Sequence, residues 1–246
     1  MTVDARKKMI LKAVIDRYIG SAEPVGSKTL SGHPGLDISP ATLRNEMSAL
    51  EAMGLLEQPH TSAGRIPTPN GYRVYVDELM QEHNLSRDEQ NTIDQVSKLK
   101  MAELDSLLNR ASRLIADLTR YATVTAAGPA VQEERVYVAG EANLLDYPEF
   151  HDLMRARRTL EYITEQRAAL IRSAPVWERE GVRVVIGPEN AASELSDASV
   201  LMATYPVGGG ARGMIGIVGP TRMDYSRMVS RLRYFAEKLS EITREE

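Results

Sequence analysis

The most constraining feature of the sequence is a short helix with one thin face, followed at once by a hairpin that carries arginine but no acid. Ser39 can cap the helix, Pro40 suits its first position, and Gly54 follows its last turn. On a helical wheel three apolar side chains share one side and are expected to face the core: Leu43, Met47 and Leu50. The sequence therefore predicts an amphipathic helix over about 40–53.

The opposite side of this helix carries only small or polar side chains. It consists of Ala41, Asn45, Ser48 and Ala52, flanked by Thr42 and Arg44. An asparagine amide can bind an adenine edge at two places, and a guanidinium suits guanine or phosphate. Such a face can lie in a groove of duplex DNA, or it can pack tightly against another helix. The helix alone leaves both interpretations open.

The hairpin that follows favours DNA. No acidic residue lies between Glu57 and Asp77, whereas two arginines do, and residues 61–64 (TSAG) have the composition of a turn. Small hydroxyl side chains beside arginine can reach phosphates or the minor groove. Helices are also expected over about 4–20 and 24–30, so the block reads as a winged helix-turn-helix with its third helix in the major groove. The candidate DNA-binding residues are Lys28, Ser39, Ala41, Thr42, Arg44, Asn45, Ser48, Thr61, Ser62, Arg65 and Arg73.

The totals give no separate hint of nucleic acid. The chain carries 30 basic and 34 acidic side chains, and residues 1–80 are balanced, so binding must depend on where the charges lie. The absence of cysteine excludes disulfides and thiolate metal sites and suits a reducing compartment. No apolar run approaches the ~20 residues that cross a bilayer. A cytoplasmic protein without a membrane partner is expected.

Catalytic chemistry has little support. The four histidines are scattered and show no metal-ligand spacing. The glycines at 208–210 are typical of a hairpin turn, because no helix that could bind phosphate follows them. We therefore expect no enzyme activity, no cofactor and no metal.

A helix is expected from Ser86, which forms a capping-box pattern with Glu89, to about Tyr121. Its second half carries a heptad seam: Leu104, Leu107, Ala111, Leu114, Leu118 and Tyr121. Periodicity leaves two interpretations open, a helix paired in a dimer or a helix packed on the following sheet. The first would make these six residues a dimer interface.

Residues 123–246 have a mixed pattern. Strands are predicted over 135–139, 182–186 and 198–205, with a further strand over 212–218, and helices over 150–171 and 224–242. The expected fold class is α+β in three parts: a winged helix-turn-helix over 1–80, a linker helix over 81–122 and a mixed α/β domain over 123–246.

Several segments together resemble a known family, the bacterial heat-inducible transcription repressors called HrcA. The matching segments, in chain order, are residues 22–30 (AEPVGSKTL), 39–47 (SPATLRNEM), 56–68 (LEQPHTSAGRIPT), 137–145 (YVAGEANLL), 182–187 (VRVVIG) and 216–226 (GIVGPTRMDYS). The resemblance implies a homodimeric repressor that binds an inverted-repeat operator, CIRCE, upstream of chaperone operons. It also implies a GAF-like C-terminal domain with a dimerising insertion, and an activity supported by the GroEL chaperonin.

The sequence departs from the family pattern in one place. Residues 121–128 pass to 135–138 through a short connection, where the family has a long stretch containing the insertion. We therefore expect the GAF-like domain to be incomplete and the heptad seam to serve as a substitute dimer interface. Two alternatives stay open: a regulator that responds to a small molecule bound in the GAF-like domain, and a fragment that interferes with full-length relatives.

Overall fold

The structure is a computed structural model that describes residues 4–33, 36, 38–61, 63–95, 104–127, 135–166, 169–170, 181–207 and 211–244. The chain divides into two compact units. The N-terminal unit comprises Met1–Gln81 and Thr221–Ser226, and the C-terminal unit comprises Glu82–Pro220 and Arg227–Glu246.

The N-terminal unit consists of short helices and a two-stranded hairpin. Its elements are α1 (Ala5–Ser21), α2 (Ser27–Leu30), α3 (Pro40–Ala52), β1 (Leu56–Glu57), β2 (Ile66–Pro67) and α4 (Pro69–Val74), which continues as a π-helical turn over Tyr75–Leu79. Three of the helices begin at a side chain that accepts a hydrogen bond from the first turn. These caps are Asp4, Ser39 and Thr68.

The core of this unit contains the predicted apolar side of α3. Leu43, Met47 and Leu50 are 0%, 1% and 0% exposed, and α3 packs against α1 and α2. The partners in the core are Ile10, Leu11, Val14 and Ile15 of α1, Leu30 of α2, and Tyr72 of α4. Burial of three large apolar side chains stabilises α3 in one rotational setting, at about 1.5–3 kcal/mol per side chain.

Residues 221–226 belong to the N-terminal unit, although they lie far from it in sequence. The ring of Tyr225 lies 5.7 Å from that of Tyr72. The Arg222 guanidinium donates to the carbonyl of Ile19 (3.3 Å), and the Ser226 hydroxyl donates to that of Gln81 (2.5 Å). The N-terminal unit therefore includes a segment of the same chain that is distant in sequence.

The C-terminal unit contains a five-stranded sheet with helices. In chain order its elements are α5 (Arg87–Asp94), α6 (Leu104–Thr119), β3 (Ala122–Ala127), β4 (Val136–Ala139), α7 (Leu153–Glu165), β5 (Val182–Ile186), β6 (Ala198–Val207), β7 (Ala211–Pro220) and α8 (Tyr225–Arg244). The first two residues of α8 belong to the N-terminal unit. The strand order is β4-β3-β7-β6-β5, and every neighbouring pair is antiparallel.

Alternation along the strands gives the sheet two apolar faces. One face packs on α7 and the short 3₁₀ turns around it, where Val124, Val200 and Met214 of the sheet share a core cluster with Phe150 and with Tyr162 of α7. On α6, the carbonyl of Leu108 accepts a hydrogen bond from the Thr125 hydroxyl (3.0 Å). The predicted fold class is thus confirmed: a mixed helix and sheet chain with an N-terminal winged helix and a C-terminal sheet unit.

The shortened connection leaves the sheet continuous. Strand β3 pairs with β4 on one side and β7 on the other, so the expected loss does not interrupt the strands described here. The connection itself, residues 128–134, lies outside the described residues, as do the glycines at 208–210. The helix predicted from Ser86 to about Tyr121 is described as two helices, α5 and α6, with residues 96–103 between them also outside.

Half of the heptad seam serves the chain's own fold. Leu107 and Ala111 are buried, and α6 packs on β3 and β4. Tyr121 is also buried, with its ring 5.2 Å from that of Tyr147. These three side chains are therefore not available as a dimer surface, which corrects that part of the prediction. Leu114 and Leu118 are half-buried, and the side chain of Leu104 lies outside the described residues.

An ion pair between α5 and α8 stabilises the C-terminal unit. The Arg231 guanidinium donates to one Glu89 oxygen through Nε (3.1 Å) and Nη2 (2.7 Å), and to the Leu118 carbonyl through Nη1 (2.9 Å). The backbone N–H of Ser86 donates to the other Glu89 oxygen (2.9 Å). Burial by itself raises the pKa of Glu89, but the hydrogen bonds from Ser86 and Arg231 outweigh it and bring the pKa to about 2.

This pair predicts a pH dependence of stability. Because folding lowers the pKa of Glu89, its stabilisation is present above the unfolded pKa of ~4.5 and is lost as the pH falls from there toward 2. Glu89→Gln should lower the free energy of unfolding at pH 7 by about 2–3 kcal/mol and flatten its decline between pH 4.5 and 2. Urea unfolding at several pH values measures this. The control is Glu237→Gln, an exposed carboxyl on α8; equal losses in both variants would contradict the assignment.

Candidate nucleic-acid interface

The thin face of α3 is open to solvent in the described part of the N-terminal unit. Ala41, Arg44, Asn45, Ser48 and Ala52 are all exposed, and Thr42 is half-exposed. The backbone of α3 can therefore approach a groove closely, because Ala41, Ser48 and Ala52 are small and no bulky apolar side chain projects from this side. The side of α3 that the sequence pattern predicts to face solvent is therefore exposed in the structure.

Arg44 and Asn45 are the functional groups on this face that remain uncommitted. Neither side chain makes a hydrogen bond or an ion pair with any other described residue. Both belong to the first half of α3, the part of a recognition helix that contacts base edges. A free guanidinium and a free amide at adjacent positions offer the donors and acceptor that guanine and adenine recognition requires.

The start of α3 is held by two of the predicted residues. The Ser39 hydroxyl accepts from the Thr42 backbone N–H (3.2 Å), and the two hydroxyls share a hydrogen bond (3.0 Å). Both side chains therefore set the entry of the helix, and their oxygens keep further hydrogen-bonding capacity. Ser39 is the predicted N-cap of α3, and Thr42 flanks the thin face on the helical wheel.

The wing is the connection between β1 and β2, which pair antiparallel. Its tip is organised by Gln58, whose side-chain amide donates to the carbonyls of Thr61 (3.1 Å) and Ala63 (2.8 Å). Thr61 is exposed at this tip, whereas Ser62 lies outside the described residues. Gln58 is absent from the residues predicted above, although an amide that follows a strand and precedes a four-residue turn is a recognisable signal for such a contact.

The base of the wing touches the segment before α2. Val25 and Arg65 form an antiparallel bridge in which each backbone N–H donates to the other's carbonyl at 2.9 Å. A Cβ at Gly64 would lie 2.4 Å from the Val25 carbonyl carbon, so only glycine allows this approach. The wing is therefore joined to the helix-turn-helix by backbone contacts.

Two predicted contact arginines are engaged inside the unit. The Arg65 side chain is 13% exposed; its Nε donates to Glu51 (2.9 Å) and its Nη2 to Ser48 (3.0 Å). Arg73 pairs with Asp77 at 3.1 Å. Arg65 and Ser48, both predicted to contact DNA, are thus hydrogen-bonded to each other in the free chain, and Arg65 is also paired with Glu51.

Part of the unpaired positive charge of the N-terminal unit lies on α2 and α3. Most basic side chains of the unit have an acidic partner, for example Lys7 with Glu46 at 3.2 Å. Within residues 4–81 as described, the basic side chains without an ion pair are Arg17, Lys28 and Arg44. Lys28 and Arg44 lie on α2 and α3 and are exposed. In a unit with balanced totals, two of these three unpaired cations thus lie on α2 and α3, and the third, Arg17, lies on α1.

The described residues hold neither a candidate metal cluster nor a helix that could span a membrane. No group of three or more histidine or acidic side chains is placed to hold a metal ion there. None of the helices in that part of the chain combines the length and the apolar character needed to cross a lipid bilayer.

Comparison with known proteins gives matches at both ends of the chain. A family model described as "Winged helix-turn-helix transcription repressor, HrcA DNA-binding" matches residues 2–80, and one described as "HrcA protein C terminal domain" matches residues 126–229. The heat-inducible transcription repressors HrcA of Desulforamulus reducens and Moorella thermoacetica are 32% and 33% identical. Each match covers 98% of this chain, with 97% and 98% of the relative.

The alignment with a relative is longer than this chain, which agrees with a shortened connection. The comparison with the Desulforamulus reducens protein extends over 336 positions, whereas this chain has 246 residues. A substantial part of the relative therefore has no counterpart here, although both ends match. The fold is also similar to a solved structure titled as a hypothetical protein, with a TM-score of 0.78, 22% identity and 99% of each chain covered.

The close approach at Gly64 gives a test of the wing. Gly64→Ala should lower the free energy of unfolding of the N-terminal unit by about 1–3 kcal/mol, because the added methyl group overlaps the Val25 backbone. Thermal unfolding measures this. The control is Gly20→Ala, where a Cβ meets open space, so stability should hold or rise slightly. Wild-type stability in Gly64→Ala would contradict the described approach.

Proposed function

The chain belongs to the HrcA family of transcription repressors, and we propose that it represses heat-inducible genes by binding an inverted-repeat operator as a homodimer. The observation that carries the proposal is the exposed, uncommitted pair Arg44 and Asn45 on the thin face of α3. A repressor acts at the chromosome, so the proposal places the chain in the cytoplasm.

The proposed contacts divide by their task. Asn45 and Arg44 read base edges in the major groove, with Ala41 and Thr42 allowing the close approach. Lys28, Ser39 and Thr61 hold the phosphate backbone, which fixes the orientation of the unit. Ser62 is proposed from the sequence alone as a further contact of the wing tip, and Arg73 as a weaker one because Asp77 shares its charge.

The homodimer follows from the symmetry of the proposed operator. An inverted repeat has two half-sites related by a two-fold axis, and a two-fold dimer presents one copy of α3 to each. Two members of the heptad seam keep half-exposed side chains, Leu114 and Leu118. We propose that they contribute to the dimer contact, together with Leu104.

The family resemblance implies that GroEL supports operator binding, and we extend this to the present chain. Because the connection at residues 128–134 is shorter than in the family, the effect of GroEL on this chain needs its own experiment.

Operator DNA is bound in a gel-shift assay with and without GroEL, and the molecular mass of the free protein is measured by light scattering at micromolar concentration. Tight operator binding by a dimer, improved by GroEL, is expected. A monomer at that concentration would contradict the dimer, and no effect of GroEL would contradict its part.

A second candidate function is regulation by a small molecule. The C-terminal unit has a cavity of about 460 Å³, a volume typical of ligand sites, with Tyr205, Arg212 and Glu237 among its lining. In this case a metabolite should raise the melting temperature and shift operator affinity. Tight operator binding without any added metabolite favours the repressor proposal instead.

Direct base readout predicts a specific effect of two substitutions. Asn45→Ala and Arg44→Ala should each cost about 1–3 kcal/mol of operator binding and relax the base preference, since each removes a base-edge contact. Titration of labelled operator and random duplex at one fixed salt concentration measures both quantities. Arg158→Ala, an exposed arginine on α7, is the matched control and should bind as wild type. Equal losses on operator and random DNA for Asn45→Ala would count against base readout.

A further inference from the structure

Glu51 and Arg65 form an ion pair at the end of α3 nearest the wing. Arg65 Nε lies 2.9 Å and Nη2 2.8 Å from the same Glu51 oxygen, and Nη2 also donates to Ser48 Oγ at 3.0 Å. We propose that this pair, called here the Glu51–Arg65 brace, is a positioning device that stays closed on DNA and sets the wing against α3. The proposal rests on the proposed operator binding and deepens it.

The geometry is that of a support and not of a phosphate contact. The Arg65 side chain is 13% exposed, and its two hydrogen bonds and its ion pair all end on α3. Charge-assisted hydrogen bonds of this kind are about twice as strong as neutral ones. A guanidinium that swung outward to a phosphate would give up Glu51 and leave a carboxylate on a surface that faces a polyanion.

The backbone of Arg65 extends the support to a third segment. Its N–H and carbonyl form the bridge to Val25, just before α2, with Gly64 in close contact beside it. One residue therefore joins the wing to the helix-turn-helix through its backbone and to α3 through its side chain. A shift of the brace would move the wing tip at Thr61 relative to the reading residues Arg44 and Asn45.

The brace also explains why an acid is tolerated at this surface. Glu51 is 35% exposed at the last turn of α3, where an unpaired carboxylate would repel the DNA backbone. Arg65 neutralises it locally. The residues that read base edges then lie in the first half of α3, because the Ser48 hydroxyl in the second half already accepts a hydrogen bond from Arg65.

The test compares Glu51→Gln, Arg65→Gln and wild type on operator and random duplex over a series of salt concentrations. If the brace positions the wing, Glu51→Gln weakens operator binding about tenfold relative to random DNA, the equivalent of ~1.4 kcal/mol. Arg65→Gln does the same, and its salt slope equals that of wild type because no phosphate contact is lost. The double variant is no weaker than Arg65→Gln alone, since both changes break one interaction.

The opposite outcome is equally specific. If Arg65 binds a phosphate, Glu51→Gln frees it and tightens binding to both duplexes, whereas Arg65→Gln flattens the salt slope by about one unit. That result, or wild-type behaviour in both variants, overturns the brace. Glu57→Gln is the matched control for charge, because it removes an exposed carboxylate on β1 that has no ion pair within the described residues.

A readout without DNA separates the brace from the proposed function. Amide hydrogen exchange at Val25 and Arg65 reports the wing bridge in the free chain, and it should accelerate in Glu51→Gln but not in Glu57→Gln. If wild type fails to bind the operator while exchange accelerates as expected, the proposed function fails and the brace stands. Unchanged exchange in Glu51→Gln contradicts the brace, whatever the DNA titrations show.

Discussion

Leu43, Met47 and Leu50 are almost completely withdrawn from solvent, and this burial fixes which side of α3 faces outward. Rotating the helix by one position would expose large apolar side chains and bury Arg44 and Asn45 without partners. Both changes are costly, because apolar burial is lost and charged or amide groups are desolvated. The thin outer face therefore exists as a consequence of the core, and DNA binding can use it without any loss of stability.

Charge placement makes the same surface suitable for a polyanion. The N-terminal unit is balanced in total charge, but ion pairs such as Lys7 with Glu46 and Lys8 with Glu78 use most of its cations. Lys28 on α2 and Arg44 on α3 form no ion pair with another described residue, and both side chains are exposed. Attraction to DNA depends on the local potential at the contact surface and not on the net charge of the chain.

Periodicity was sufficient to predict the elements whose environment is set by their own residues. The buried side of α3 follows from helical spacing, the cap at Ser39 from its residue type, and the strands β5 and β6 from their β-branched and aromatic residues. Periodicity could not predict which partner the apolar side of a helix packs against. The heptad seam of α6 fits a dimer and a sheet equally well; in the structure α6 packs on β3 and β4. The commitment of Arg65 to Glu51 was also hidden, because the two lie 14 residues apart and meet only once the wing folds. The insertion of residues 221–226 into the N-terminal unit had no local signal at all.

In the proposed complex, the outer face of α3 lies in the major groove of the operator. A photo-reactive amino acid at position 41, where the native alanine is exposed, tests it most directly, with the same group at the exposed Leu153 of α7 as control. Cross-linking to operator bases from position 41 and none from position 153 is the predicted result. Equal cross-linking from both positions, or none from position 41 while the operator is bound, would contradict the claim.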